Sequence, residues 1–407
     1  MRTRTVAALV ALLAAFAGAA AVALWTPSGG GGTLTEVWVS DTGRPTQFNH
    51  HGVGAADGVV VAPVLSRQGT EGLTRHSCAL VRLAPANGSV LWRSGVPPER
   101  CFIHALTKPA IADLNGDGSP AVVAGTTENA TVALAASDGR ELFRLPTPTY
   151  GYGEPTVADV RGDGRPEIVA SDIGGHVVVA SGNGTVIWRG TVDGVVYAKP
   201  VVADVDGDGR AEVVVAGREQ TVAFAPDGTA LWRREVGATD AGVATVDGAP
   251  RVVVAGNDGV VALDGATGER LWNRSADGTP SMGALADGDG DGTPEAYVSV
   301  PGNLLRAFDA SDGHEEWQTR LASESGTITP PAVLGDLDGD GAPELVAGTN
   351  GGTVAVLDPA TGAELAAYER DDPIWTGSTT ANLTDDPGEE ILVRYGRGRV
   401  VALEYDS

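Results

Sequence analysis

The chain has 407 residues, 42% of them hydrophobic, and carries a formal net charge of −25. That composition supplies ample apolar material for a core and argues against nucleic acid as a partner, because phosphate binding requires basic patches. Lysine occurs only at Lys108 and Lys199, every other basic residue being arginine; acidity of this degree suits high salt, where self-repulsion is screened, so a halophilic setting is expected.

The first segment stands apart from the rest. Arg2 and Arg4 precede an apolar run from Val6 to Trp25. A secretory signal core is about 7–15 residues long, whereas a bilayer span needs about 20. Residues 1–26 are therefore expected to form an uncleaved signal anchor, with the arginines inside; cleavage and secretion is the alternative. Residues 27–34, containing the PSGGGG run, read as a flexible tether. Residues 35–407 would then lie outside the cell. The only two cysteines, Cys78 and Cys101, could form a disulfide there, inert buried thiols being the bland alternative.

From Trp38 onward two signals alternate. One is a valine-rich strand, as at Val122–Gly125, Ile168–Ser171, Val213–Gly217 and Leu345–Gly348, with weaker copies beginning at Val59, Val252, Ala296 and Ile391. The other is a turn followed by a strand bearing an aromatic, ending at Trp92, Phe143, Trp188, Trp232, Trp272, Trp317 and Tyr368. An eighth aromatic strand, TEVW to Trp38, sits ahead of the first valine strand, and the last valine strands end the chain without one. Joining Trp38 to residues 381–407 completes one unit from both ends, which leaves no unpaired sheet edge within the repeat. The unit length, from Asp113 to Asp159 and from Asp159 to Asp204, accommodates four short strands and their turns. The expected fold is an all-β, eight-bladed β-propeller, with seven blades as the alternative because the copy around Val252 is short.

Ahead of five valine strands stands an aspartate- and glycine-rich loop: DLNGDGSPA from Asp113, DVRGDGRPE from Asp159, DVDGDGRAE from Asp204, DGDGDGTPE from Asp287 and DLDGDGAPE from Asp336. Calcium takes about 6–8 oxygen ligands from carboxylates, carbonyls and water. Side chains at positions 1, 3 and 5 of such a loop can supply them, and glycines at 4 and 6 permit the turn. Position 12 is Val215 or Ala347 where an EF-hand needs glutamate. The loops resemble the calcium loops of FG-GAP repeats, found in integrin α-subunit propellers. The aromatic half-repeats, such as ALDGATGERLW at residues 262–272, resemble PQQ-like propeller repeats. The FG-GAP resemblance implies a further carboxylate at position 9. The complete sets are Asp204, Asp206, Asp208 and Glu212; Asp287, Asp289, Asp291 and Glu295; and Asp336, Asp338, Asp340 and Glu344. Asp159, Asp163 and Glu167 have Arg161 at position 3, and Asp113, Asn115 and Asp117 have Ala121 at position 9. Asn382, Thr384, Asp386 and Glu390 form a degraded copy, and the shortened loop at Asp247 is expected to hold no ion. Calcium is the expected cofactor, in a structural role; acidic turns without metal are the bland alternative.

Catalytic motifs are absent from the sequence: there is no G-x-S-x-G, no H-E-x-x-H and no phosphate-binding loop with lysine. The histidines, among them the adjacent His50 and His51, receive no role. The PQQ-like resemblance implies a quinone-dependent dehydrogenase as one alternative, without the adjacent cysteines of that family; a polysaccharide-lyase-like enzyme is another. Seven residues before the loops stand Tyr152, Tyr197 and Trp375, at the opposite end of each innermost strand. Such rings can stack on a sugar or clamp a peptide, although they could equally pack the blade entry. The favoured expectation is a monomeric, membrane-anchored binding or scaffold module for a protein or carbohydrate ligand, and not an enzyme.

Overall fold

The computed structural model describes residues 31–43, 51–67, 76–102, 104–276, 278–321, 330–384 and 386–407. The expected anchor, residues 1–26, lies outside the described residues, as does His50. Among the described residues no helix is long and apolar enough to cross a membrane.

Eight four-stranded antiparallel sheets make an eight-bladed propeller. Blades one to seven run in chain order: residues 54–96, 110–146, 156–191, 201–234, 240–274, 281–320 and 333–369. Blade eight takes three strands from the C-terminal segment (Thr379–Ala381, Glu390–Arg394, Val400–Asp406) and its outer strand from the N-terminal one, Thr33–Val39. Thr33 pairs with Asp406 and Val39 with Val401. The propeller thus begins at Thr33, inside the stretch expected as tether. Leu34 faces Tyr405 across the ladder, and Tyr405 sits so close to Gly32 that a Cβ there would clash with its ring.

The first strand of every blade touches the first strands of the blades on either side, all the way round. These strands therefore line the central channel. Each second strand is buried on both faces, as in Glu212–Ala216, because blades cover it from both sides. Outer strands alternate between buried and exposed residues, as in Ala230–Arg234. The core is divided in the same way: eight hydrophobic clusters each fill one interface between neighbouring blades. The copy at Val252 makes a full blade. Its loop is a two-residue turn, Asp247–Gly248, both at positive φ, between strands paired from Asp240 to Ala255. The loss of loop residues there is offset by longer flanking strands.

The recurring turn-and-tryptophan signature has a mechanical origin. Each outer-strand tryptophan packs on the glycine of the next blade's last turn, and its indole N–H donates to a carbonyl in that turn. Trp188 reaches Pro226 O at 3.0 Å, Trp232 Gly265 O at 2.7 Å and Trp272 Ala310 O at 3.0 Å. A Cβ on Gly228 would lie 2.8 Å from the Trp188 ring. Tyr368 is not the equivalent residue in blade seven. The bulged register places Ala366 where the other blades carry their aromatic. No turn joins the third and outer strands of blade eight, so no glycine seat exists for a ring from blade seven. Tyr368 instead donates its hydroxyl to Glu36 Oε2 at 2.7 Å, on the N-terminal strand.

Cys78 and Cys101 are joined in a disulfide, 23 residues apart, inside the cluster between blades one and two.

Candidate functional site

Two sites lie at opposite ends of the innermost strands. In blade three, Tyr152 and Glu154 precede the strand Thr156–Ala158, and the aspartate loop follows it.

The loops share one internal wiring. The first aspartate folds the turn around itself: Asp204 accepts the amides of Gly207 at 2.7 Å and Gly209 at 2.9 Å. Asp287 does the same with Gly290 at 2.8 Å and Gly292 at 3.0 Å. Both glycines of each loop hold positive φ, which only glycine adopts without strain. The position-9 glutamate is buried at the start of the second strand. One of its oxygens accepts the amide of position 2: Val160 to Glu167, Val205 to Glu212, Gly288 to Glu295, Leu337 to Glu344 and Leu383 to Glu390, at 2.7–3.0 Å.

The other oxygen decides what the loop can do. In blades four, six and seven, ligand atoms of Asp204, Asp206 and Glu212, of Asp287, Asp289, Asp291 and Glu295, and of Asp336, Asp338 and Glu344 converge within 4.8 Å of one another. Asp208 and Asp340 stand outside these groups. Asp208 forms an ion pair with Arg210, while one Asp340 oxygen accepts the amide of Ala342. Glu295 Oε1 and Asp336 Oδ1 are buried and have no hydrogen-bond partner. Burial raises the Glu295 and Glu344 carboxyls to about 7, with neighbouring aspartates adding to the effect, and raises Glu212 for the same reasons. Convergent carboxylate oxygens, all hard donors and one of them orphaned in each of blades six and seven, fit a divalent cation such as calcium.

The remaining loops solve the charge problem differently. In blade three the Arg161 guanidinium enters the loop, bonding Glu167 Oε1 at 2.9 Å and Asp163 Oδ2 at 3.0 Å. The arginine supplies the cation itself. In blade two, with Ala121 at position 9, Asn115 Nδ2 donates to Asp117 Oδ2 at 3.0 Å. The Gly118 amide, with those of Asn115 and Gly116, pulls the Asp113 carboxyl below the usual range. In blade eight Asn382 turns its amide to the Asp386 carbonyl, leaving Glu390 held by Leu383.

At the other end lies a cavity of about 450 Å³ in the channel mouth, lined by Tyr152, Tyr197 and Trp375 together with residues the sequence reading passed over. Tyr152 and Tyr197 meet edge to face at 4.7 Å, and His51 packs on Tyr152 at 4.8 Å. His104, at φ 66, lies 5.0 Å from Tyr152. Leu106, in the register of the tyrosines, is instead buried between blades one and two. Lys108 and Lys199 both reach Glu154, at 3.4 and 2.9 Å. Asp240 accepts from Thr239 Oγ1 and the Met282 amide, and burial raises its carboxyl to about 6. Thr376 and Ser378 line the same cavity; both are buried, and neither hydroxyl has a hydrogen-bond partner. A register signal for the charged wall exists in the sequence: Lys108, Glu154 and Lys199 each stand five residues ahead of their loop's first aspartate.

Comparison with known proteins supports the two repeat types. Residues 217–407 match the PQQ-type family model described as outer membrane protein assembly factor BamB, and residues 113–170 match the FG-GAP-like repeat model. No curated protein sequence matches significantly. Among solved structures, BamB from Moraxella catarrhalis superimposes with a TM-score of 0.61 at 17% identity, covering 91% of this chain and 97% of that one. Quinohemoprotein alcohol dehydrogenase from Comamonas testosteroni gives 0.63 at 13% identity, over 91% and 76%. BBS1N, in complex with ARL6DN, gives 0.53 at 15% identity, over 73% and 91%. At such identities the likeness is one of fold.

Proposed function

We propose that this chain is a binding module: a propeller stiffened by calcium at the loops of blades four, six and seven, whose ligand enters the channel mouth at the other end. The observation that carries this reading is the mouth cavity, where aromatic rings and opposed charges converge. Calcium would be held by Asp204, Asp206 and Glu212, by Asp287, Asp289, Asp291 and Glu295, and by Asp336, Asp338 and Glu344. Its role is structural, since these loops lie away from the cavity. Residues 1–26 would anchor the propeller to a membrane, on the extracellular side, a setting that suits the Cys78–Cys101 bridge. BamB is named as an assembly factor, and BBS1N carries a protein partner in its structure; both favour a binding role over a catalytic one. The dehydrogenase neighbour keeps the fold open to quinone chemistry, but this chain has no adjacent cysteine pair at its channel.

The test is to probe glycan and peptide arrays with the full-length protein and with a Tyr197→Ala/Trp375→Ala variant. Ligands retained by the wild type should be lost from the variant at unchanged melting temperature. Ligands retained equally by both would overturn the placement of the site.

A further inference from the structure

The channel mouth is asymmetric in a way that its aromatic lining does not explain. Along blades two, three and four the wall carries Lys108, Glu154 and Lys199 at one repeating position. The equivalent positions in blades six and seven, Met282 and Pro331, are uncharged. These are the only two lysines of the chain, and they sit in one cavity of a molecule with a net charge of −25. A single carboxylate, Glu154, bridges both ammonium groups, so the three side chains keep one uncompensated positive charge. Each ammonium has three donors; Glu154 takes one from Lys199 at 2.9 Å and forms a longer ion pair with Lys108 at 3.4 Å. The lysine side chains are 32% and 51% exposed, and both line the cavity.

From this we propose that the mouth recognises a carboxylate-bearing sugar, a hexuronic acid residue. The inference rests on the channel-mouth reading above and names its ligand class. A uronic acid presents one carboxylate, several hydroxyls and an apolar ring face, and the cavity offers a counterpart for each. The lysine pair takes the carboxylate as point charges. The partly buried Asp240, already a hydrogen-bond acceptor at the cavity wall, is available for the hydroxyls. Tyr197 and Trp375 line the cavity and are of the kind that stacks on a sugar ring. An acidic peptide would satisfy the lysines but would offer the aromatic residues no sugar face to stack on. Glu154 contributes by holding the ammonium groups together against their mutual repulsion, and it disfavours ligands with several adjacent carboxylates.

The test is calorimetric titration of the full-length protein with trimers of galacturonate, glucuronate, mannuronate and guluronate, with the methyl ester of whichever binds, with maltotriose and with tetraglutamate. At least one uronate trimer should bind, its methyl ester or maltotriose at least tenfold more weakly. Lys108→Gln and Lys199→Gln should each cost at least tenfold for the uronate and little for the ester, with melting temperatures confirming the fold. Failure of all four uronates, equal binding of ester and acid, or tighter binding of tetraglutamate would overturn the assignment. If the arrays had meanwhile yielded a ligand lost in the Tyr197→Ala/Trp375→Ala variant, the mouth would stand as the binding site and only the ligand class would fall.

Discussion

A single arginine separates two versions of the same loop. Glu167 and Glu295 occupy one structural position, buried and held by the position-2 amide. Arg161 fills the space beside Glu167, while Glu295 keeps an orphaned oxygen. Replacing Arg161 by alanine should lower the melting temperature with or without calcium, because Glu167 loses its counter-charge and the loop lacks its position-3 ligand. Arg161→Asp restores the acidic pattern, so its loss should be recovered by added calcium. Thermal melts with calcium and with EDTA distinguish the two variants; identical behaviour would contradict the role given to Arg161. Asp240 makes the pH prediction. Its carboxyl is raised in the fold from an ordinary value of 3.8 to about 6. Between those values the folded state holds more protons than the unfolded state, so stability falls as pH rises through the interval and stays lower above it. Asp240→Asn should flatten that dependence and add about 1–2 kcal/mol at pH 7, while changing little below pH 4. Denaturant titration at the two pH values checks it.

At the scale of the blade, the signature readable in the sequence is a contact between blades. The glycine of one turn and the tryptophan of the preceding outer strand form one joint, and the joint repeats because the blades do. Closure of the ring uses it as well: Trp38, from the N-terminal strand, donates to Pro85 O at 2.6 Å and packs on Gly88 of blade one. Trp38→Ala should cost about 3–5 kcal/mol, the usual range for a buried tryptophan. Gly88→Ala should also destabilise, since φ is +66 there and a Cβ would meet the Trp38 ring at 2.4 Å. Chemical denaturation of both variants tests the joint; near-neutral values would show that closure rests on the strand ladder alone. The same joint explains where pattern reading went astray. Tyr368 looks like the seventh aromatic by composition, yet the bulged register gives that place to Ala366. Blade eight, assembled from both ends of the chain, has no turn to seat a ring. The period of the repeat predicted an aromatic, and the missing turn removed the reason for one.

For the whole molecule, the eight-bladed ring and its two repeat types were legible because both rest on local periodicity: strand alternation, turn glycines and acidic loops at regular spacing. The mouth was less so. Tyr152, Tyr197 and Trp375 could be picked out by register, but His51, Asp240, Thr376 and Ser378 come from differing registers and meet only once eight blades close around an axis. Lys108, Glu154 and Lys199 kept one register throughout, yet as a wall they did not stand out, because a repeat is scanned for what recurs and their charges alternate. The loops also divide more finely than their sequences imply. Asp208 and Asp206 read as equivalent ligands, but Asp208 pairs with Arg210 and stands outside the cluster. No spacing rule contains that competition.

Cation binding at the carboxylate clusters of blades four, six and seven is the central proposal for this fold. Each occupied site would stabilise the fold by about 2.7 kcal/mol at a hundred times its dissociation constant. The most direct measurement is the melting temperature of EDTA-treated full-length protein during calcium titration, alongside a Glu212→Gln/Glu295→Gln/Glu344→Gln variant. A saturable rise in the wild type, largely absent from the variant, is the result expected. A wild-type melting temperature indifferent to calcium, or a variant that responds as strongly as the wild type, would contradict it.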